Sequence, residues 1–351
     1  MQTIARYCLW PLIDITRFPS KQSVTPVTGL YVRREEQSVT AKPLITHLRH
    51  VGIAMPDLDR QLAFYRDLWG LTPVADDTGV HFLAAEGSPE QYVVRLRKDD
   101  QKRLDLVSFG AASVEDVHTL CERLRTAGVR IISEPDDVDT PGGGYGFRFF
   151  DCDGRVIEVS TDVATRAFRR IEEHESIPVR LSHFVINSAN PEQTVAWYVE
   201  HLGFRLSDSL CMGDRGEFMW FLRCNDWHHS LAVSRGPHHA VNHISFELRG
   251  LDEYMRGTGR LLRAGVQKIW GPGRHKAGDN TYSYFFDKAG NTVEYTTELQ
   301  LVDWDEWHPS VFDVFKPDFI DQWGTSNPMN EFVSKWMHND PDRGLFVAPP
   351  L

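Results

Sequence analysis

Two histidines and one glutamate in the second half of the chain have the side chains of a metal site. His183 and His243 are 60 residues apart and Glu294 follows after another 51 residues, so the three do not form a local motif. Both histidines lie near the start of a predicted strand, and the glutamate lies in the final strand of the same region. Two neutral imidazoles and one carboxylate on one face of an octahedron leave three positions free, which suits non-haem Fe(II) and its chemistry with oxygen.

An internal repeat places these residues at equivalent positions of a duplicated unit. Segments 50–70 and 183–203 each begin with histidine and have tyrosine and glycine at intervals of 15 and 20 residues. Segments 151–158 and 287–294 share the pattern Asp-x-x-Gly-x-x-x-Glu, which closes both halves. A repeat of this kind predicts a duplicated fold before any single residue is interpreted.

Only the second half keeps a complete set of ligands. The first half has His50 and Glu158 at the outer positions, but Leu106 takes the place that His243 has in the second half. Two groups are too few for a tight metal site, so we interpret His50 and Glu158 as structural residues. The sequence therefore predicts one metal site, in the second half.

Helix caps and short aromatic strands recur at the same spacing in both halves. Asn190 and Pro191 predict a helix start and Gly203 its end, while Asp57 and Gly70 mark the matching helix in the first half. Runs rich in aromatic and β-branched residues predict the strands. We expect an α+β fold of two tandem domains, each a pair of β-α-β-β-β modules that form a curved, incompletely closed barrel around a cavity.

The chain is divided by this repeat into five regions. They are an N-terminal extension (1–44), a first domain without metal (45–162), a linker (163–177), a second, metal-binding domain (178–298) and an aromatic-rich C-terminal tail (299–351). The extension has no clear period, and we expect part of it to be disordered. The tail is expected to pack on the second domain or on a partner subunit, with a lid over the cavity as the alternative.

Composition excludes several classes of function. The 351 residues carry a formal net charge of -11, which argues against binding to nucleic acid or to anionic membranes because both require a basic surface. The five scattered cysteines contain no C-x-x-C pair and suit a reducing compartment. Without an apolar run of roughly 18 residues or a secretory leader, the chain is predicted to be soluble and cytoplasmic.

Three motifs surround the metal ligands of the second half. They are Trp-His-His-Ser-Leu-Ala at 227–232, Asn-His-Ile-Ser-Phe at 242–246 and Gly-Pro-Gly-Arg-His at 271–275, the last continuing to Tyr-Ser-Tyr-Phe-Phe-Asp at 282–287. With them, the chain between about residues 45 and 300 resembles the type I extradiol catechol dioxygenases of the vicinal oxygen chelate superfamily. The resemblance implies four β-α-β-β-β modules and a catalytic Fe(II), or Mn(II) held by the same ligands, in the C-terminal domain alone.

The resemblance also implies roles for residues around the metal. The family's acid/base histidine falls on His229, the second histidine of its motif, and a histidine near neutral pKa suits that task. His228 is expected on the opposite side of a strand, as a structural residue. His275 and Tyr284 are placed at the pocket, where they would hydrogen-bond substrate oxygens, and Asp279 would orient one of them.

The residues expected around the substrate are mostly apolar. The homoprotocatechuate-cleaving branch of the family has an arginine and an asparagine at the positions of Trp270 and Val185 in this chain. Loss of that arginine removes a clamp for a carboxylate. Together with Phe221, these residues predict a pocket for an alkyl-, aryl- or otherwise neutral-substituted catechol, while Arg274 is expected to brace the loop.

The resemblance therefore predicts meta ring cleavage, in which both atoms of O2 enter a substituted catechol to give a hydroxymuconic semialdehyde-type product. The expected partners are a catechol, O2 and further copies of the chain in a homo-oligomer. The nearest enzyme alternative is a 4-hydroxyphenylpyruvate dioxygenase-like oxygenase, and a glyoxalase-like lyase is a further one. The non-enzyme alternative is a metal-free, ligand-sequestering protein of the bleomycin-resistance kind.

Overall fold

Two mixed β-sheets, one from each half of the repeat, form the frame of the protein. They are seen in a computed structural model that describes residues 43–77 and 79–350. The predictions made for residues 1–42 lie outside the described residues. No helix in the described part of the chain is both long and apolar enough to cross a membrane.

The first half forms an eight-stranded sheet with the order β2-β3-β4-β1-β5-β8-β7-β6. Its strands are β1 (Ile45–Met55), β2 (Thr72–Asp77), β3 (Val80–Ala84), β4 (Val94–Lys98), β5 (Arg103–Ala111), β6 (Ile131–Asp137), β7 (Tyr145–Phe150) and β8 (Val156–Thr161). Its helices are α1 (Leu58–Ala63), which continues into a π-helical turn (Phe64–Trp69), and α2 (Val114–Thr126).

The second half repeats this arrangement and gains one strand from the tail, in the order β14-β15-β16-β13-β9-β12-β11-β10-β17. The strands are β9 (Arg180–Ser188), β10 (Arg205–Cys211), β11 (Glu217–Arg223), β12 (Leu231–Arg235), β13 (Ala240–Glu247), β14 (Lys268–Arg274), β15 (Thr281–Phe286), β16 (Thr292–Thr296) and β17 (Ser310–Asp313). The helices are α3 (Pro191–Leu202), a 3₁₀ turn (Gly213–Arg215), α4 (Leu251–Arg263) and, in the tail, α5 (Glu331–His338).

Strand pairing confirms the four predicted β-α-β-β-β modules. In every module the first strand lies parallel to the last one, as β1 does with β4 and β9 with β12. The two modules of a half join through their first strands, which pair antiparallel. Both sheets are open, because their strand orders end at separate edge strands rather than returning to the start.

The strand register shows that Leu106 occupies the place of His243. Leu106 comes two residues before Ser108, which is paired with Glu158 on the neighbouring parallel strand. His243 comes two residues before the serine that is paired with Glu294 in the same way. The comparison of the two halves made from the sequence therefore agrees with the pairing of the strands.

The predicted helix ends are found, with one difference. Asp57 caps α1 by accepting a hydrogen bond from a first-turn amide at 3.3 Å, and Gly70 ends the helical segment with φ 95°. Asn190 precedes α3, but its side chain forms no cap hydrogen bond, so the expected side-chain cap is wrong. Pro191, which presets the backbone angle and needs no amide donor, begins this helix, and Gly203 ends it with φ 75°.

One apolar core joins the two halves. The segment after α1 buries Trp69 against Tyr295 of the second sheet, with ring centroids 4.0 Å apart. Phe109 of the first sheet lies edge-on to Phe204 of the second half at 5.4 Å. Burying a side chain of this size stabilises a fold by about 1.5–3 kcal/mol, so the two halves depend on each other's apolar surface.

The repeated tyrosine and aspartate pair with each other across the two halves. Tyr198 of the second half donates a hydrogen bond to Asp151 of the first half at 2.9 Å. Tyr65 of the first half donates to Asp287 of the second half at 3.4 Å. All four residues are buried. The two tyrosines recur in the repeat at the same distance from its histidine because each one satisfies a carboxylate of the other half.

Removing the shorter of these two bonds is expected to destabilise the fold more. Tyr198→Phe should lower the free energy of unfolding by about 1.5–3 kcal/mol, the usual contribution of a hydrogen bond to a charged group. Tyr65→Phe should lower it by less, because its bond to Asp287 is 3.4 Å long, against 2.9 Å for the bond from Tyr198 to Asp151. Urea denaturation of the three proteins measures both changes, and an equal or reversed order would contradict the assignment.

Candidate active site

Three donor atoms converge in the second half, from three adjacent strands. His183 Nε2 lies 3.0 Å from Glu294 Oε2, and His243 Nε2 lies 3.5 Å from the same oxygen. The two Nε2 atoms are 3.4 Å apart. The residues come from β9, β13 and β16, which are neighbours in the sheet. Among the described residues this is the one cluster of three histidine, cysteine or carboxylate side chains with the spacing of a metal site.

The electrostatics of this cluster suit a bound cation. Burial lowers the pKa of His183 and of His243 to about 3, so both imidazoles are neutral and can act as ligands. Burial also raises the pKa of Glu294, against the opposing effect of His243. Neither carboxylate oxygen of Glu294 accepts a hydrogen bond from the described residues. A divalent cation would offset this buried, unsatisfied carboxylate, so the residues present fit a metal.

Each ligand imidazole is oriented by a polar neighbour on its other nitrogen. His243 Nδ1 lies 2.7 Å from Asn242 Oδ1, and His183 Nδ1 lies 3.1 Å from Ser182 Oγ. The oxygen of Asn242 only accepts, so His243 Nδ1 donates to it and the Nε2 atom that faces Glu294 keeps its lone pair; His183 Nδ1 can donate to the Ser182 hydroxyl in the same way. Asn242 and Ser182 each directly precede a predicted ligand, but no role was predicted for either of them from the sequence.

The matching place in the first half is occupied by an arginine. Arg148 is paired with Glu158 as Tyr284 is paired with Glu294. Its Nε donates to Glu158 Oε2 at 2.8 Å, and although burial opposes the change, Arg148 and His50 lower the pKa of Glu158 to about 2. The guanidinium thus neutralises the carboxylate that a metal would neutralise in the second half, in agreement with a structural role for His50 and Glu158.

His229 lies beside the predicted metal ligands, and His228 contacts His229 rather than facing away from it. The ring centroid of His229 is 4.2 Å from that of His183. His228 was expected on a strand, but it lies in the loop between β11 and β12, with its Nδ1 2.9 Å from His229 Nδ1. Its Nε2 lies 2.8 Å from Asp208 Oδ2. The orientation predicted for His228 is therefore wrong, because a loop residue does not follow the alternation of a strand.

The direction of these hydrogen bonds determines where His229 carries its proton. The carboxylate of Asp208 only accepts, so in neutral His228 the Nε2 atom donates to it and Nδ1 is left as an acceptor. His229 Nδ1 then donates to His228, and the Nε2 atom of His229 has a free lone pair. Burial, followed by the effect of His183, holds the pKa of His229 well below its usual value, which keeps this imidazole neutral. The arrangement provides a proton acceptor beside the metal ligands.

His275 and Tyr284 both line the cavity, where the resemblance placed them. They form a second hydrogen-bonded pair. His275 Nε2 is 3.1 Å from the Tyr284 hydroxyl, and His275 Nδ1 is 3.1 Å from the carbonyl oxygen of Ile320. Burial and then Glu294 raise the pKa of Tyr284 well above its usual value, so the phenol keeps its proton. The pair can hold a proton close to the ring of His243, whose centroid is 5.1 Å from that of Tyr284.

A cavity of about 290 Å³ opens beside these side chains. Val185, Phe221 and Trp270 line it, as expected. Trp270 stacks parallel to Tyr284, with ring centroids 5.8 Å apart, and donates from Nε1 to the carbonyl oxygen of Asn327. Apolar side chains thus form much of the cavity wall, and Arg215, Arg235 and Lys276 also line it.

Asp279 lies outside this cavity. Its carboxylate accepts from Arg274 Nε at 3.0 Å and from Gln322 Nε2 at 2.8 Å, and its side chain is half exposed. The expected contact of Asp279 with His275 or Tyr284 is therefore not formed. Asp279 and Arg274 instead brace the loop after β14.

The C-terminal tail packs on the second half and also reaches the first. Trp336 packs edge-on against Phe286 with ring centroids 4.4 Å apart, and Asp342 accepts a hydrogen bond from the amide of Leu104 at 3.1 Å. The tail also supplies part of the cavity wall, through Val314, Phe315, Phe319, Ile320, Met329, Ser334, Met337 and His338. The tail thus packs on the second half, and part of it lines the cavity.

Comparison with known proteins gives one family for both halves. The model of the Glyoxalase/Bleomycin resistance protein/Dioxygenase superfamily matches residues 47–159 and 180–295. Metapyrocatechase 2 of Cupriavidus necator is 25% identical over 315 residues, which cover 84% of this chain and 94% of that protein. The manganese-dependent 2,3-dihydroxybiphenyl 1,2-dioxygenase of Geobacillus genomosp. 3 is 22% identical over 282 residues, covering 76% of this chain and 89% of that protein.

One solved structure is more similar to this chain in sequence than these two relatives are. The Mn(II)-bound glyoxalase from Novosphingobium aromaticivorans is 41% identical and superposes with a TM-score of 0.80. The match covers 87% of this chain and 98% of that one.

Matched changes in the two halves are expected to differ in their effect on metal binding. Glu294→Gln should lower the affinity for Mn(II) by more than about 100-fold, because changes outside the ligand set alone typically lower it by about 10–100-fold. Glu158→Gln should leave the affinity unchanged, because Arg148 already neutralises this carboxylate. Titration of the metal-free proteins by calorimetry, with metal content by mass spectrometry, measures both. Equal losses in the two variants would contradict a single site.

Acid is expected to destabilise the protein partly through His50. Burial lowers the pKa of His50 to about 3, so between about pH 3 and 6.5 the unfolded chain binds a proton that the folded chain does not. The free energy of unfolding therefore falls as the pH falls through this window. His50→Leu should reduce that fall by about 1.4 kcal/mol between about pH 7.5 and about pH 5.5. Urea denaturation at the two pH values measures it, with His174→Asn, a change to an exposed imidazole, as control.

Proposed function

The chain belongs to the Glyoxalase/Bleomycin resistance protein/Dioxygenase superfamily, and we propose that it is a metal-dependent extradiol dioxygenase that cleaves a substituted catechol next to its diol. The observation that carries the proposal is the triad at the cavity. The donor atoms of His183, His243 and Glu294 lie within 4.8 Å of one another, and His183, His243 and His229 line the cavity. The relatives named as a metapyrocatechase and a dihydroxybiphenyl dioxygenase support it.

We expect the triad to hold Fe(II), or Mn(II) in its place. When bound, such a metal supplies neighbouring coordination positions at which a catechol and O2 can be held together. Both ions accept this set of two imidazoles and one carboxylate, and a dioxygenase relative is named as manganese-dependent. The overall reaction needs no other oxidant or reductant, because the bond between two ring carbons breaks and both oxygen atoms of O2 end in the product.

Proton transfer is assigned to His229. Its Nε2 atom, free because Nδ1 donates to His228, accepts a proton from a catechol hydroxyl as the substrate binds. The same nitrogen can return this proton when the ring opens. Asp208 stabilises the charge that forms on the two imidazoles in between, since its carboxylate is hydrogen-bonded to His228 at 2.8 Å.

Tyr284 and His275 are assigned to the substrate oxygens. Tyr284 keeps its proton at neutral pH, and its hydroxyl, which donates to His275 before substrate binds, can turn to donate to a substrate oxygen that gains negative charge. His275 orients this hydroxyl across 3.1 Å. The two residues thus stabilise charge without becoming charged themselves.

The cavity favours a catechol with an apolar substituent. Val185, Phe221 and Trp270 line it in the region where the substrate is expected, and each is buried. A carboxylate beside these three side chains would lose its hydration without the arginine that Trp270 replaces, although Arg215, Arg235 and Lys276 also line the cavity. We therefore expect alkyl- and aryl-catechols to be better substrates than catechols that carry an acid group.

A glyoxalase activity is the second candidate, because the solved structure with the higher identity bears that name. Such an enzyme moves a proton between adjacent carbons of a hemithioacetal and consumes no oxygen. The two candidates can be separated by oxygen consumption alone.

The test is anaerobic loading with Fe(II) or Mn(II), followed by addition of O2. With 3-alkyl- or 3-arylcatechols we expect uptake of one O2 per substrate and a yellow semialdehyde product. His229→Gln should lower kcat by about 100- to 10,000-fold, the usual contribution of a general acid/base, whereas His50→Gln should not change it. Loaded protein that consumes no O2 with any catechol, or that turns over a hemithioacetal or consumes O2 only with 4-hydroxyphenylpyruvate, would contradict the proposal.

A further inference from the structure

We infer that the C-terminal tail is a positioning element of the active site, which acts through Asn187 and Asn242 on the metal ligand His243. The tail contributes backbone carbonyl groups whose hydrogen bonds decide which ring nitrogen of His243 carries the proton. This inference deepens the proposed function by linking the closed cavity wall to a metal ligand in its binding form. It concerns metal binding and can be tested without any catechol.

The first link joins the tail to Asn187 on β9. Asn187 Nδ2 donates to the carbonyl oxygens of Met337 and His338, at 2.8 and 2.9 Å. Carbonyl oxygens only accept hydrogen bonds, so the amide nitrogen of Asn187 has to face them. The oxygen of the same amide must then point the other way. The end of helix α5 thereby fixes the orientation of an asparagine that is fully buried.

The second link joins Asn187 to the metal ligand. Asn242 Nδ2 donates to Asn187 Oδ1 at 2.9 Å, which turns Asn242 Oδ1 towards His243 Nδ1 at 2.7 Å. An amide oxygen cannot donate, so His243 Nδ1 carries the proton and its Nε2 keeps the lone pair that faces Glu294. The carbonyl groups of the tail therefore determine which atom donates and which accepts in each hydrogen bond from Asn187 to His243.

The first half provides an internal comparison. By strand register Ala54 takes the place of Asn187, and Asp105 takes the place of Asn242. Asp105 forms ion pairs with Arg97 and Arg103 rather than with an asparagine. The pair of asparagines is thus present in the half that has the metal ligands and missing in the half that lacks one.

Two further hydrogen-bond paths from the tail lead to the same site. The carbonyl oxygen of Ile320 accepts from His275 Nδ1 at 3.1 Å, which leaves His275 Nε2 to accept from Tyr284. The amide of Ser310 donates to Asp208 Oδ1 at 2.8 Å, on the carboxylate that orients His228. Because Met337 and His338 also line the cavity, one docked segment forms its wall and directs the protons of the histidines around it.

The test compares Asn187→Asp with a change elsewhere in the tail. Aspartate keeps the size of the side chain but cannot donate to the carbonyls of Met337 and His338, so the tail should loosen and His243 should lose its fixed proton. We expect the affinity for Mn(II) to fall by about 10–100-fold, trypsin to cleave the tail faster, and long-range ¹H–¹⁵N spectra of the metal-free protein to show mixed protonation of His243. Thr325→Val, which removes a hydrogen bond between the tail and the carbonyl of Pro272, should change none of these.

A second variant tests the same inference if Asn187→Asp does not fold. Lys335→Pro changes an exposed residue of α5 and breaks the helix that presents the two carbonyls, while both asparagines stay intact. It should lower the affinity for Mn(II) to a similar extent. Normal affinity and normal His243 spectra in a protein whose tail is cleaved rapidly would overturn the inference. All readings are taken without substrate, so a failure to cleave catechols would not affect them.

Discussion

A buried carboxylate that no hydrogen-bond donor satisfies is the constraint on which the active site depends. Glu294 is fully buried and its two oxygens have no hydrogen-bond partner among the described residues. Placing such a group in a protein interior is costly unless a cation neutralises it. In the first half Arg148 does this for Glu158, and there the site is a buried ion pair. In the second half a tyrosine occupies the arginine's place, and no arginine or lysine forms an ion pair with Glu294 among the described residues.

The two halves hold each other in the geometry that the site requires. The site itself uses strands of one sheet, but that sheet packs on aromatic side chains from the first half, such as Trp69. The reciprocal bonds of Tyr198 with Asp151 and Tyr65 with Asp287 tie the same two surfaces together. Duplication therefore preserves more than a fold: it preserves residues whose partners lie in the other copy. This explains why a half without a complete metal site keeps its tyrosine and aspartate.

The C-terminal tail adds a strand to the second sheet and hydrogen bonds to the residues around the site. Strand β17 extends the second sheet beside β10, and α5 lies over the cavity near Asn187. Backbone groups of this segment reach His243, His275 and the partner of His229 through separate hydrogen bonds. A metal site needs imidazoles with the proton on the correct nitrogen, and short paths of buried amides and carboxylates provide this without added charge. The cavity wall and the ligand orientation are therefore parts of one structure.

The sequence alone determined the duplicated fold, the ligand triad and the asymmetry between the halves, because repeated spacing survives in the order of residues. The equivalence of Leu106 and His243 could be predicted by comparing the two halves, since both have the same order and pairing of strands. The tertiary structure alone decided that His228 contacts His229, that Asp279 braces a loop, and that the tail directs the histidines. Asp208 and Asn187 are far from their partners in the chain and belong to no local motif. Their roles arise only when folding brings donors and acceptors from separate strands within about 3 Å of each other.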